Sequence, residues 1–220
     1  MPNTTPEARQ ALLLGATGLI GSFLLDRLLD SPVYSGVSVW LRKPLAKQHP
    51  KLQQKIVDFE RLEQGRVEAD DVYCCLGTTI NVAGSREAFR RVDFDYPVAL
   101  ARAAARDGAK RLLVVSALGA DARSSVFYNR VKGQMEDAVR AAGVAGTFFF
   151  RPSLLSGPRA EPRLGESVGL VVGDLLGPML GKYRPIHANL AAAAMLKAAE
   201  RDLPAQTFES PQIRALAQSS

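Results

Sequence analysis

Tyr128 and Lys132 stand four residues apart in Tyr128-Asn129-Arg130-Val131-Lys132, within a stretch of helical patterning, so their side chains share one face. A phenol that ionises near pH 10 exchanges protons poorly at neutral pH, and lowering it by three units takes about 4 kcal/mol of favourable field. An ammonium one turn away can supply such a field. Twelve residues before the tyrosine, Ser116 closes an apolar run, where a hydroxyl can hydrogen-bond a carbonyl and steady the charge developing on its oxygen. Ser116, Tyr128 and Lys132 are therefore candidate catalytic residues for proton transfer at a carbonyl. The same Tyr and Lys spacing also fits an ordinary surface helix, so the rest of the chain has to decide.

The second chemical signal is Gly15-Ala16-Thr17-Gly18-Leu19-Ile20-Gly21, three glycines spaced by three between an apolar run and a helical pattern. The first glycine permits the tight turn, the second lets backbone approach a pyrophosphate, and the third lets helix pack on strand, with the helix N-terminus facing the anion. Gly15, Thr17, Gly18, Leu19, Ile20 and Gly21 are thus candidate dinucleotide contacts. An NAD-binding chain places an acid on the ribose 2′-hydroxyl about twenty residues on; here the second strand ends in Arg42-Lys43. That basic pair suits a 2′-phosphate and favours NADP(H) over NAD(H), the other reading being a solvated strand end. Asp58 and Phe59 would border the adenine, although Asp58 also fits a turn cap. Cys75, Leu76, Gly77 and Thr78 follow the fourth strand, where small residues let a nucleotide cross the strand tips.

These residues need strand tips and helix starts to hold them. Strands are expected at 11–14, 37–41, 55–59, 72–76, 111–117 and 147–150, and a short one at 207–209. Helices are expected at 19–29, 87–106, 125–142 and 190–200, the last capped by Asn189. Ser31-Pro32 stops the first helix, and Gly108 and Gly143 close the next two. This alternation predicts an α/β fold: a single Rossmann-type, doubly wound parallel sheet with helices on both faces. Residues 1–155 form the nucleotide-binding core. Residues 156–220 form a Gly- and Pro-rich lid and complete the same domain, with 156–182 covering the nicotinamide end.

Composition closes off other classes. The 220 residues are 47% apolar and 23% charged, which fits one globular domain, and the apolar stretch 168–180 falls short of the roughly 20 residues that span a bilayer. The net charge of +6 is scattered, without an aromatic-interleaved patch, so no nucleic-acid partner is expected. Two histidines, His49 and His187, and the adjacent cysteines Cys74 and Cys75 offer no metal-ligand spacing and no disulfide framework. The cysteines read as packing thiols rather than redox centres, and His187 as a structural hydrogen-bonding group. Residues 1–10 lack a signal-peptide pattern, so a cytoplasmic location and no membrane association are expected.

The glycine turn with Ser116 and Tyr128-x-x-x-Lys132 resembles the short-chain dehydrogenase/reductases, near nucleoside-diphosphate-sugar epimerases. Leu76-Gly77-Thr78-Thr79, Arg91-Val92-Asp93, Asp95-Tyr96-Pro97, Ser116-Ala117-Leu118-Gly119-Ala120-Asp121, Val131-Lys132-Gly133 and Phe150-Arg151-Pro152-Ser153 are similar to an atypical branch, the Tat-interacting-protein oxidoreductase family. The resemblance implies an NADP(H)-dependent oxidoreductase reducing a small carbonyl, with Ser116 orienting it, Tyr128 donating the proton and Lys132 on the nicotinamide ribose. Arg151, Pro152 and Ser153 would lie near the nicotinamide. Many related reductases carry an asparagine of a proton relay where this chain has Asp93, and a carboxylate satisfying helix N–H groups is the plainer role for it. The alternative is an NADP(H)-binding regulator or redox sensor acting through a protein partner; transient cofactor use by an epimerase is a third reading. The long Ala-rich helices could pair in a homodimer, and burial within a monomer predicts the same composition.

Overall fold

A computed structural model describes residues 8–157, 183–201 and 203–219. The expected lid at 156–182 lies almost wholly outside them. Seven strands form one all-parallel sheet: β1 (Arg9–Leu14), β2 (Tyr34–Leu41), β3 (Leu52–Ile56), β4 (Asp71–Cys74), β5 (Arg111–Val115), β6 (Gly146–Arg151) and β9 (Thr207–Glu209). Their order is β3-β2-β1-β4-β5-β6-β9. Two residues each from β7 (Leu155–Ser156) and β8 (Ile186–His187) make a small parallel pair beside it.

Alternate strand residues feed opposite cores. Leu13, Phe148 and Phe150 face α1 (Leu19–Asp30) and α6 (Ala188–Glu200), whose alanines let the two helices pack closely. Leu12, Leu14 and Phe149 face α4 (Tyr96–Arg106) and α5 (Phe127–Ala141). Each fully buried Leu or Phe is worth about 1.5–3 kcal/mol, so register is held from both faces. Tyr34, Trp40, Phe148 and Phe149 are all buried. Helix α7 (Ser210–Gln218) packs on α6 and opens with a capping box between Glu209 and Gln212.

Several boundaries differ from expectation. The third strand lies at Leu52–Ile56 rather than 55–59, because it is the sheet edge and its polar Gln53, Gln54 and Lys55 need no apolar alternation. Asp58 then starts a 3-10 turn, Phe59–Gln64, accepting a hydrogen bond from the Glu60 N–H at 3.0 Å. The long helix expected at 87–106 is three segments: α3 (Arg86–Arg90), a π turn (Arg91–Asp95) and α4, preceded by the short α2 (Ile80–Ala83). The cap of α6 is His187, whose Nδ1 accepts from the Asn189 N–H at 3.2 Å, while Asn189 Oδ1 accepts from Arg27 on α1.

The connections from β1 run outward to β2 and β3, and those from β4 run the other way. Between them the carboxyl ends of β1 and β4 open a crevice, the position at which open α/β sheets bind ligands.

Candidate active site

The glycine turn sits at that crevice and is too tight for side chains. Gly15 has φ +84°, and a Cβ there would lie 2.5 Å from the Cys75 carbonyl oxygen; a Cβ on Gly21 would lie 2.0 Å from the Gly15 oxygen. Gly18 N–H donates to Gly15 O at 2.9 Å, closing the turn, and Ser22 N–H to Gly18 O starts α1. The first turn of α1 carries no acidic residue and Gly18 gives no side-chain cap, so its N–H groups point into the crevice without a side-chain acceptor. A cradle that any Cβ would fill, at an uncapped helix N-terminus, fits a pyrophosphate. Gly157, beyond β6, returns over this turn: its Cβ would lie 3.1 Å from Leu19 Cδ1.

At the outer end of the crevice Arg42 and Lys43 are exposed where β2 ends. Phe59 packs edge-on against Tyr96, ring centres 5.5 Å apart, and the Tyr96 hydroxyl donates to Glu60 at 2.7 Å. Burial, and then Glu60, push this phenol up to about 12, with Arg91 and Arg42 pulling the other way. Tyr96 thus stands with Phe59 and Arg42 at the outer end of the crevice. Only its place in Asp95-Tyr96-Pro97 marked it in the sequence.

The inner end carries the titratable groups. Tyr128 lies on the first turn of α5 with its ring 5.4 Å from that of Phe89. One turn on, Lys132 is buried and its Nζ is 2.7 Å from Asp93 Oδ1; Asp93 Oδ2 accepts from the Thr78 N–H at 2.9 Å. Burial works against the lysine's charge, but Asp93, and after it Tyr128, hold its pKa above the ordinary value. Asp93 is therefore the counter-ion of Lys132 and an anchor for the loop after β4, rather than a group capping its own helix. Gly77 lies over the pair: a Cβ there would be 3.5 Å from Asp93 Oδ1 and 3.9 Å from Lys132 Nζ. Gly133 lets α5 come so close to the loop after β5 that a Cβ would meet Ala122 N at 2.1 Å.

Ser116 is placed differently from expectation. It is buried, and its hydroxyl donates to Glu136 Oε1 at 2.6 Å. That proton is not offered to a carbonyl in this arrangement, so Ser116 links β5 to α5. Glu136 also takes two bonds from Arg151, Nε at 2.8 Å and Nη2 at 2.7 Å, and a longer one from Arg140. Arg151 is thereby paired with Glu136 through Nε and Nη2. Pro152 O accepts from the Leu118 N–H, and Ser153 is held by Ser210 and by Arg184 O, which ties the end of β6 to the loop after β5 and to the C-terminal segment. Glu136 was missed in the sequence, although 128, 132 and 136 continue one stripe at intervals of four.

Both cysteines are packing groups: burial pushes Cys74 up to about 11 and raises Cys75 well above the usual thiol range. Among the described residues no helix is long and apolar enough to cross a membrane.

Comparison with known proteins agrees with this geometry. Residues 15–173 match the model of the family described as NAD(P)H-binding. The chain is 33% identical over 211 residues to the mitochondrial protein fmp52 of Aspergillus clavatus, covering 88% of this chain and 89% of that one. It is 36% identical over 166 residues to protein HTATIP2 of Rattus norvegicus, covering 73% and 68%. Among solved structures, MoeE5 in complex with UDP-glucuronic acid and NAD superposes with a TM-score of 0.71 at 18% identity, over 90% of this chain and 75% of that one. Bordetella bronchiseptica WbmH in complex with NAD+ gives 0.69 at 16% identity, over 95% and 79%. The fungal relatives are named mitochondrial, in Candida albicans as well as Aspergillus, which overturns the cytoplasmic location expected from the N-terminal residues. With the glycine cradle, the 3-2-1-4-5-6 strand order and a family match over more than half its length, the chain belongs to the NAD(P)H-binding Rossmann family of the Fmp52 and HTATIP2 proteins.

Proposed function

We propose that the protein is an NADP(H)-dependent reductase of a small carbonyl compound, with Tyr128 as the proton donor. The observation that carries this reading is the buried Lys132 ammonium one turn from Tyr128, under Gly77 at the crevice. Gly15, Thr17, Gly18, Leu19, Ile20 and Gly21 would hold the pyrophosphate, with Cys75, Leu76, Gly77 and Thr78 along the strand tips. Arg42 and Lys43 would meet the 2′-phosphate, and Phe59 with Asp58 the adenine. The reduced nicotinamide supplies a hydride when bound. Tyr128 gives its hydroxyl proton to the carbonyl oxygen as charge builds there, and the Lys132 ammonium steadies the phenolate left behind.

General acid catalysis contributes about 10²–10⁴ in rate, so Tyr128→Phe should lose at least that factor in turnover while NADPH affinity stays within about twofold. Lys132→Ala should lower both. Full turnover by Tyr128→Phe on a substrate found by screening would reject the donor assignment.

One observation favours a second reading, an NADP(H)-binding regulator acting through a protein partner. Ser116, which a carbonyl reductase would use to orient its substrate, has its proton committed to Glu136. NADPH-dependent binding of a protein partner, together with no turnover of any carbonyl in the screen, would establish that reading instead.

A further inference from the structure

Between α3 and α4 the chain makes a π turn in which the Tyr96 N–H reaches back to Arg91 O, five residues away. Such turns displace one residue from the regular helical face and recur at functional sites. Here the residue inside it is Asp93, which is fully buried. Its two oxygens have separate tasks. Oδ2 accepts from the backbone N–H of Thr78 on the loop after β4, and Oδ1 has no polar partner other than Lys132 among the described residues. The same pair lies against the backbone of Gly77, so one carboxylate ties the β4 loop, the π turn and α5 together at a single point.

A buried ammonium needs a counter-charge, and where that counter-charge stands decides where the ammonium stands. A serine, asparagine or water in place of Asp93 would satisfy Thr78 but leave Lys132 to find its own position or lose its proton. The other charged or titratable groups close enough to act on Lys132 are Tyr128 on its own helix and Cys74 on β4, and burial keeps the Cys74 thiol protonated. Asp93 is therefore the anion that keeps the lysine charged.

We infer that Asp93 is a positioning residue for the cofactor: through Lys132 it fixes the ammonium that meets the nicotinamide ribose, and through Thr78 it couples that ammonium to the strand-tip loop. The inference rests on the placement of Lys132 at the nicotinamide end in the reductase reading. It adds that the carboxylate, rather than an amide or a water chain, sets the lysine.

The test compares two ligands. NADPH spans the whole crevice, whereas adenosine 2′,5′-bisphosphate carries only the adenine end and does not reach Lys132. Asp93→Asn keeps the volume and an oxygen for Thr78 but removes the charge. It should weaken NADPH about tenfold or more, the loss of one charge-assisted contact, and leave adenosine 2′,5′-bisphosphate within twofold. In a Lys132→Met background the same substitution should add no further loss of NADPH affinity. Unchanged NADPH affinity in Asp93→Asn, or equal weakening of both ligands, overturns the inference, the second outcome marking a role in the fold alone. If Asp93→Asn does not fold, the Asp93→Leu/Lys132→Met double variant replaces the pair with apolar groups. It should bind NADPH no more weakly than Lys132→Met, and weaker binding overturns the inference. The reductase reading fails separately: if Lys132→Met itself leaves NADPH affinity intact, the lysine is not at the ribose, whatever Asp93 does.

Discussion

Replacing Glu136 by glutamine tests whether the Ser116 and Arg151 cluster holds the fold together. The carboxylate is 1% exposed and carries one hydroxyl bond and a two-pronged guanidinium contact. Glutamine keeps the shape and one accepting oxygen, so the Ser116 bond at 2.6 Å can survive. Its amide NH2, however, points donors at the donors of Arg151. Breaking a buried ion pair by neutralising one partner costs about 3–5 kcal/mol. The low end applies here, because the Arg151 side chain is 22% exposed and has Glu209 and Asp121 nearby to share its charge. A loss of about 3 kcal/mol in a chain of this size lowers the melting temperature by roughly 6–12 °C. Urea unfolding followed by circular dichroism reads the same quantity through the midpoint at constant slope. Ser116→Ala in the same assay should cost about 1.5–3 kcal/mol, one hydrogen bond to a charged group, and should leave turnover largely intact. A loss below about 1 kcal/mol for Glu136→Gln would refute the argument that this cluster is structural. A collapse of turnover in Ser116→Ala with stability unchanged would return the hydroxyl to the substrate.

Two further outcomes are expected. Arg42→Ala should weaken NADP(H) by about tenfold and leave NAD(H) unchanged, since its charge-assisted contact with a 2′-phosphate would be exposed and sits at the low end of the range; calorimetric titration of both cofactors decides, and equal losses would remove the basis for NADP preference. Cys74 ionises near 9 in the unfolded chain and at about 11 in the fold. Between these values the unfolded state binds fewer protons, so the Cys74 contribution to stability is intact below pH 9 and declines as pH rises from about 9 to about 11. Urea midpoints across that range should fall less steeply in Cys74→Ala, and iodoacetamide at pH 8 should label the unfolded but not the native thiols; labelling of native Cys74 would contradict its burial.

The parts of the molecule readable in sequence are those governed by local chemistry. The glycine turn is fixed by sterics between neighbours in the chain and in the adjoining strand, so the types and spacing of Gly15, Gly18 and Gly21 state the requirement directly. Helix ends at Ser31-Pro32, Gly108 and Gly143 follow for the same reason. The edge strand lies at Leu52–Ile56, ahead of its expected span at 55–59, because an edge answers to its one neighbour, β2, and to water. Neither leaves a hydrophobic period in Leu52–Ile56.

The chemistry of the site was legible in its residue types and illegible in its pairings. Tyr128 and Lys132 are related by one helical turn, which spacing alone supplies. Lys132 and Asp93 are related by a π turn and by the packing of two helices, and no interval in the sequence encodes that. Ser116 shows the consequence. From its position at a strand tip it has an open crevice before it, and only the fold brings Glu136, twenty residues away and two turns into α5, to claim its proton. The stripe 128, 132, 136 did carry a hint, because it runs from the half-buried Tyr128 to the buried Lys132 and Glu136, and a buried carboxylate must find cations. Arg151 is the cation it finds. The same reasoning applied to Lys132 demands an anion, and the nearest acidic residue outside its own helix on a segment packed against α5 is Asp93. Buried charge is thus the link between the two levels: the sequence shows which groups need a partner, and the fold determines which partner is within reach.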